Sequence, residues 1–340
     1  MKILVIRFSA LGDIALTVPA VRQVLHENPN CEIIFVSRPF VEPLFFGIER
    51  LHFHAVDTNK YRGFWGLIQL CNELYSKYRF SLFIDLHNSL RTRIIRYLLF
   101  FRGISTYVID KGRVQKSKII NIGHQPSTPL KHHLQRYLDV FKKAGLQILP
   151  TTKPYFIKTK PKSDAIAEIF VAPFKGNNLI GIAPFAALPL KEWPFEKVEK
   201  LVNEITKQEG NIVLLFGGKN DVKKIEHLLS SSKIVSAIGL EGGLWTELAL
   251  MKHLKIMLCM DSGNMHLAAG VGTKVAAIFG PTHPFLGFAP YLQAENTIQD
   301  RLLNCRPCSV FGNKPCHRGD HACMENITEK MVMERLSFMN

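Results

Sequence analysis

The 340-residue chain contains no apolar run near the roughly 20 residues that cross a bilayer as a helix. Its opening, MKILVIRFSALGD, does not have the form of a signal peptide. Arg7 and Asp13 interrupt the apolar stretch, which reads better as a first strand, so a cytoplasmic location is expected. Cysteine is scarce and odd in number, seven in all, which fits reduced thiols better than a disulfide framework. The β-α-β opening lacks G-x-G-x-x-G, so the dinucleotide fingerprint is missing and no cofactor is expected. No D-x-D occurs anywhere. Acidic residues are few: 28 Asp and Glu face 43 Lys and Arg, a net charge of +15. The excess is uneven, +13 in residues 1–170 and +2 in residues 171–340. Nucleic acid, an anionic membrane face and an anionic lipid are the partners such a balance suits. No nucleic-acid module and no aromatics interleaved with a basic run are present, so nucleic acid is not expected.

What is present is apolar enough, at 47%, for full cores, and the length suits two domains. Lys2–Phe8 reads as a buried strand, Ile14–Glu27 as an amphipathic helix bent early by Pro19, and Cys31–Ser37 as a second strand. Phe80–Leu86 is a further strand, followed by a helix Ser89–Phe101 carrying Arg91, Arg93 and Arg96. That helix reads as a sheet cover with a solvated basic face; contact with lipid headgroups is the other reading. Lys111–Lys118 is a short basic loop holding Arg113 and Lys116, and His132, His133 and Arg136 follow on a helix. Thr151–Ser163 reads as a strand plus linker, with the boundary near Lys160. Strands then recur at Leu179–Ala183, Asn211–Phe216 and Ile234–Ile238, with helices Glu196–Gln208 and Leu244–Met251 between and after them. This β-α rhythm in both halves predicts an α/β protein of two Rossmann-like, doubly wound domains, 1–160 and 161–340, facing across a cleft.

The most informative stretch is Ile256–Pro284. Two apolar runs, Ile256–Met260 and Val275–Phe279, read as parallel strands, and Asp261-Ser262-Gly263-Asn264 opens a small-residue helix between them. Such a strand-to-helix turn offers free backbone N–H groups and a positive dipole end to an anion. A well-capped helix of any α/β domain is the plainer reading. The zinc-like spacing Cys305-x2-Cys308-x7-Cys316-x6-Cys323, with His317 and His321 nearby, reads as structural thiols in preference to a metal site.

D-S-G-x-x-H-L-A-A followed by a strand and F-G-P-T resembles the nucleotide-sugar site of glycosyltransferase family 9, the heptosyltransferases that move heptose from ADP-heptose to the inner core of lipopolysaccharide. F-S-A-L-G-D-I resembles the family's N-terminal signature, and Lys191-x-Trp193-Pro194 its K-x-W motif. The resemblance implies a GT-B architecture, with the last helix, Asn326–Asn340, packing back on the first domain. It implies Asp13 as the base that deprotonates the acceptor, against the plain reading of a dipole-favoured helix-start residue. It implies Lys191 at the donor phosphates, with Asp261, Ser262, Gly263 and His266 around them, and Asp221 after Gly217-Gly218 at the ribose hydroxyls. Two departures stand out: most relatives carry Glu at the position of Asp221, and Phe185-Ala186-Ala187 lacks the hydroxyl usual near the phosphates. The implied reaction is inverting and needs no metal. Its acceptor is an anionic lipid A core held by Arg91, Arg113 and Lys116 of the basic half, with peripheral contact at the inner face of the inner membrane. A nucleotide-sugar epimerase of the same architecture and a basic nucleic-acid-binding protein are the alternatives.

Overall fold

A computed structural model describes every residue except 122–124, 152 and 339–340. Eleven strands form among the described residues. β1 (Lys2–Ile6), β2 (Glu32–Ser37), β3 (Leu51–Ala55), β4 (Leu82–Asp85) and β5 (Ser105–Val108) make one sheet in the order β3-β2-β1-β4-β5. β6 (Asn178–Ala183), β7 (Asn211–Leu215), β8 (Ile234–Ser236), β9 (Ile256–Met260), β10 (Val275–Ile278) and β11 (Thr297–Ile298) make the second, in the order β11-β10-β9-β6-β7-β8. Every strand pair is parallel. The cause is visible in runs such as KILVI and IMLCM, which are apolar at consecutive positions and so want cover on both faces. The fold is therefore the doubly wound α/β class that the β-α rhythm predicts.

Contacts divide the chain into two units, Met1–Lys111 with His133–Lys158, and Gly112–His132 with Thr159–Asn340. In the first, helix Gly63–Tyr78 and helix Leu90–Phe100 lay Leu67, Leu70, Leu74, Ile95 and Leu99 over Leu4, Ile6, Ile34 and Phe83. In the second, Trp193, Val198, Leu201 and Ile205 cover Ile182, Val213, Leu258 and Ile278.

Several local differences from the expected elements have simple causes. The helix expected over Ile14–Glu27 is two, Leu11–Ala15 and Thr17–Glu27, joined at Leu16. The interruption falls just ahead of Pro19, which has no N–H for the Ala15 carbonyl, so the early bend expected at Pro19 takes the form of this break, with Pro19 in the first turn of the second helix. β3 and helix Gly63–Tyr78 went unread; β3 is half-exposed and carries His52 and His54, so it lacks the continuous apolar run of its neighbours. No strand forms in the described part of Thr151–Ser163; instead Pro161 opens a helix, Pro161–Val171. Lys111–Lys118 is largely helical, within Arg113–Asn121. The last helix, Glu329–Phe338, buries Val332 and Leu336 in the core of the second unit.

Candidate active site

In open α/β sheets ligands sit beyond the carboxyl ends of strands, where the strand order reverses. In the first sheet that point lies between β1 and β4, whose last residues, Ile6 and Asp85, are partners. The turn after β1 carries Asp13; the turn after β4 carries His87. Asp13 lies in the first turn of helix Leu11–Ala15, and its Oδ2 is 2.6 Å from Arg7 Nη2 and 3.4 Å from the Ala10 N–H. It is therefore a helix-start residue and an ion-pair partner together. Arg7 is 2% exposed and also donates to the Leu86 carbonyl. Burial alone would lower its pKa, but the fields of Tyr137, Asp13 and Asp85 raise it on balance. Tyr137 is fully buried, donates its hydroxyl to the Asp13 carbonyl at 3.1 Å and lies under the Arg7 guanidinium. Ser9 Oγ is 3.2 Å from His87 Nε2. Burial first, and then Arg7, push the His87 pKa down to about 3, so its imidazole is neutral over the physiological range. Arg7, His87 and Tyr137 were not singled out from sequence. Arg7 sits inside an apolar run, and Tyr137 is 124 residues away from Asp13.

In the second sheet the reversal lies between β6 and β9, where Ala183 pairs with Cys259. The loop after β6 supplies Lys191 and the turn after β9 supplies Asp261. Their side chains meet, Lys191 Nζ to Asp261 Oδ2 at 2.9 Å. Thr282, at the end of F-G-P-T, donates its hydroxyl to the same oxygen at 2.7 Å. Ser262 caps helix Gly263–Val271 in extended conformation, and its buried Oγ has no partner among the described residues. Gly263 is the first residue of that helix, and His266 is buried on it. Asp221 lies in the turn after β7, where its carboxylate accepts from the Gly218 N–H at 2.9 Å and from Lys224 Nζ at 3.0 Å.

Two anchors hold this second cluster. Trp193 is buried and donates its indole N–H to the Ile327 carbonyl at 3.0 Å, which pins the loop bearing Lys191. Arg306, 1% exposed, donates to the carbonyls of Phe279, Gly280 and Thr282 at 2.7–2.9 Å. It thereby fixes the F-G-P-T turn against which Asp261 rests. Burial brings the Arg306 pKa down to about 10. No motif announced Arg306, since a lone arginine in a loop reads as solvated. Gly312 closes over the Lys191 stem: a Cβ there would lie 2.5 Å from Lys191 Cγ, and its φ is +76°.

The basic residues expected to hold the acceptor belong to both units. Arg91 is half-buried at the start of helix Leu90–Phe100 in the first unit. Arg113 and Lys116 cluster with the second unit, not the first. Arg113 is exposed, whereas Lys116 is 3% exposed with its ammonium 4.0 Å from the centre of the Phe288 ring. His133 and Arg136 are buried in the first unit. Cys305, Cys308, Cys316 and Cys323 are free thiols. Among the described residues no three His, Cys, Asp or Glu side chains gather as a metal-binding set.

Comparisons with known proteins agree on one family. The sequence pattern of Glycosyltransferase family 9 (heptosyltransferase) matches residues 69–315. Lipooligosaccharide heptosyltransferase 2 of Haemophilus influenzae is 27% identical over 99% of both chains. Lipopolysaccharide heptosyltransferase 2 of Escherichia coli is 28% identical over 47% of this chain and 46% of its own. Among solved structures, a glycosyl transferase family 9 protein from Veillonella parvula superposes with a TM-score of 0.78 at 20% identity, covering 99% of this chain and 96% of that one. The ADP-heptose lps heptosyltransferase II of E. coli superposes at 0.73 and 21% identity, covering 100% and 98%.

Proposed function

The chain belongs to glycosyltransferase family 9, the heptosyltransferases, and we propose from that premise that it transfers heptose from ADP-heptose to the inner core of lipopolysaccharide. The observation that carries the donor half is the Lys191–Asp261–Thr282 cluster beside the N-terminus of helix Gly263–Val271. A diphosphate there would take over the Lys191 ammonium from Asp261, the backbone N–H groups of Ser262–His266 and the partnerless Ser262 hydroxyl. Their positive charge would stabilise ADP as it leaves, which is the task a metal performs in D-x-D enzymes. Asp221 would turn from Gly218 and Lys224 to the ribose hydroxyls.

Asp13 would serve the acceptor. The acceptor oxygen attacks the anomeric carbon, the bond from that carbon to the ADP oxygen breaks, and the acceptor proton passes to the Asp13 carboxylate. Attack from the face opposite ADP inverts the anomeric centre. The ion pair to Arg7 orients the carboxylate but weakens it as a base, so proton transfer must accompany attack. Arg91, Arg113 and Lys116 would meet the acceptor's phosphates and carboxylates, with Lys116 the weakest of the three because it is spent on Phe288. The acceptor's lipid anchor would bring the enzyme to the cytoplasmic membrane face. Incubation with ADP-heptose and a series of truncated lipopolysaccharide acceptors, read by mass, tests the reading. A gain of one heptose on an inner-core acceptor supports it; no gain on any acceptor, with ADP-heptose intact, overturns it.

A further inference from the structure

Helix Leu90–Phe100 presents two apolar faces. Thr92, Ile95 and Leu99 point into the core of the first unit. On the opposite side Leu90 is 75% exposed, Tyr97 55%, Phe100 60% and Phe101 83%. At 100° per residue these four and Arg93 fall within an arc of about 100°. Trp65, 79% exposed, joins them from helix Gly63–Tyr78. Arg102, just past one helix, donates to Asn72 on the other, which sets their register. Counting back about 1.5 Å per residue from that contact brings the start of helix Gly63–Tyr78 level with Arg93. Exposed aromatic and aliphatic side chains gathered on one face mark an interaction surface, so this outer face wants an occupant.

Charge identifies the occupant. No acidic residue lies between Asp85 and Asp110, whereas Arg91, Arg93, Arg96 and Arg102 do. The side chains of Arg91 and Arg93 make no ion pair or hydrogen bond among the described residues. We propose that the outer face of helix Leu90–Phe100, with Trp65, docks on an anionic phospholipid bilayer. Aromatic side chains enter the interface while the arginines meet lipid phosphates. A symmetric contact with a second copy is disfavoured, since it would set arginines against arginines with no carboxylate between them. The helix begins three residues after His87, which touches Ser9 of the Asp13 turn. A bilayer on this face therefore lies along the edge of the first sheet where the acceptor is expected. The inference rests on the lipid-anchored acceptor of the proposed function.

The test is co-sedimentation with vesicles of phosphatidylcholine alone and of phosphatidylcholine with phosphatidylglycerol, neither holding any sugar acceptor. The wild-type chain should pellet with the anionic vesicles only. Arg93→Glu should lower that affinity about tenfold or more, from roughly 1 kcal/mol per charge near a lipid surface. Trp65→Ser combined with Phe101→Ser should abolish it. Thermal stabilisation by ADP, unchanged in all variants, shows that they fold. Absence of wild-type binding to anionic vesicles overturns the proposal, as does equal binding by the variants. A dimer lost in Phe101→Ser, without vesicle binding, also overturns it and assigns the face to self-association. Transfer to a delipidated core oligosaccharide separates the two ideas. If transfer fails while vesicle binding persists, the heptose reading falls and the membrane face stands.

Discussion

At the level of single residues, the candidate base and the donor lysine make opposite predictions. Asp13→Asn keeps the shape of the turn but loses proton acceptance, so kcat should fall by at least about 10² with ADP affinity nearly constant. Turnover at near wild-type rate would leave Asp13 as a cap for Ala10 and a partner for Arg7. Lys191→Ala should weaken ADP binding by about 1.5–3 kcal/mol, the range for a lost charge-assisted contact, as calorimetry would read. Unchanged affinity would remove Lys191 from the donor site. His87 and His283 add a pH dependence. Burial is the first cause in each, and it holds both pKa values down at about 3, below the 6.5 of an exposed histidine. His283 also uses Nδ1 to accept from the Phe285 N–H, which requires the neutral ring. In the unfolded chain both rings bind protons as pH falls through 6.5, and in the folded chain they resist until about 3. The stabilisation is complete above pH 6.5 and is lost as pH falls towards 3. Melting temperature should decline across that window, less steeply in His87→Gln; identical slopes would count against His87 as a contributor.

At the level of elements, the donor site depends on two turns, and two of their anchors, Arg306 and Gly312, belong to no motif. The turn after β10 is held by Arg306, and the loop after β6 by Trp193 and by Gly312 above the Lys191 stem. Gly312→Ala adds a Cβ 2.5 Å from Lys191 Cγ in backbone that disfavours L side chains, so Lys191 must move. The expected result is a raised KM for ADP-heptose and an unaltered acceptor KM. A wild-type donor KM would show that the lysine does not need this support. The helix boundaries carry the same lesson. Leu244–Met251 and Ile256–Met260 were legible residue by residue, the strand as an unbroken apolar run and the helix as one interrupted only by Thr246 and Glu247. β3 was not, because a half-exposed strand with two histidines carries little periodic signal.

At the level of the whole molecule, the uneven charge predicts uneven salt sensitivity. Exposed contacts are screened over about 8–10 Å, so added salt should raise the acceptor KM more than the donor KM. Equal sensitivity would refute that division. Chelation should leave turnover intact if Lys191 and the helix N-terminus supply the counter-charge; loss of activity in EDTA would return attention to the four late cysteines. The α/β class, the repeated doubly wound pattern and the placing of Asp13, Lys191, Asp221 and Asp261 in the segments that follow strands were all readable in one dimension. Strand ends, turn residues and apolar runs are local, and local order is what a sequence records. The strand order decided the rest. It places the turn after β1 beside that after β4, and the loop after β6 beside that after β9, across separations of some 70 residues. That is why Arg7, His87, Tyr137 and Arg306 emerge only in three dimensions. It is also why Lys116, read as an acceptor contact in a basic loop, is buried on Phe288 in the second unit. Burial and partner choice belong to the packed chain, and no spacing in the sequence encodes them.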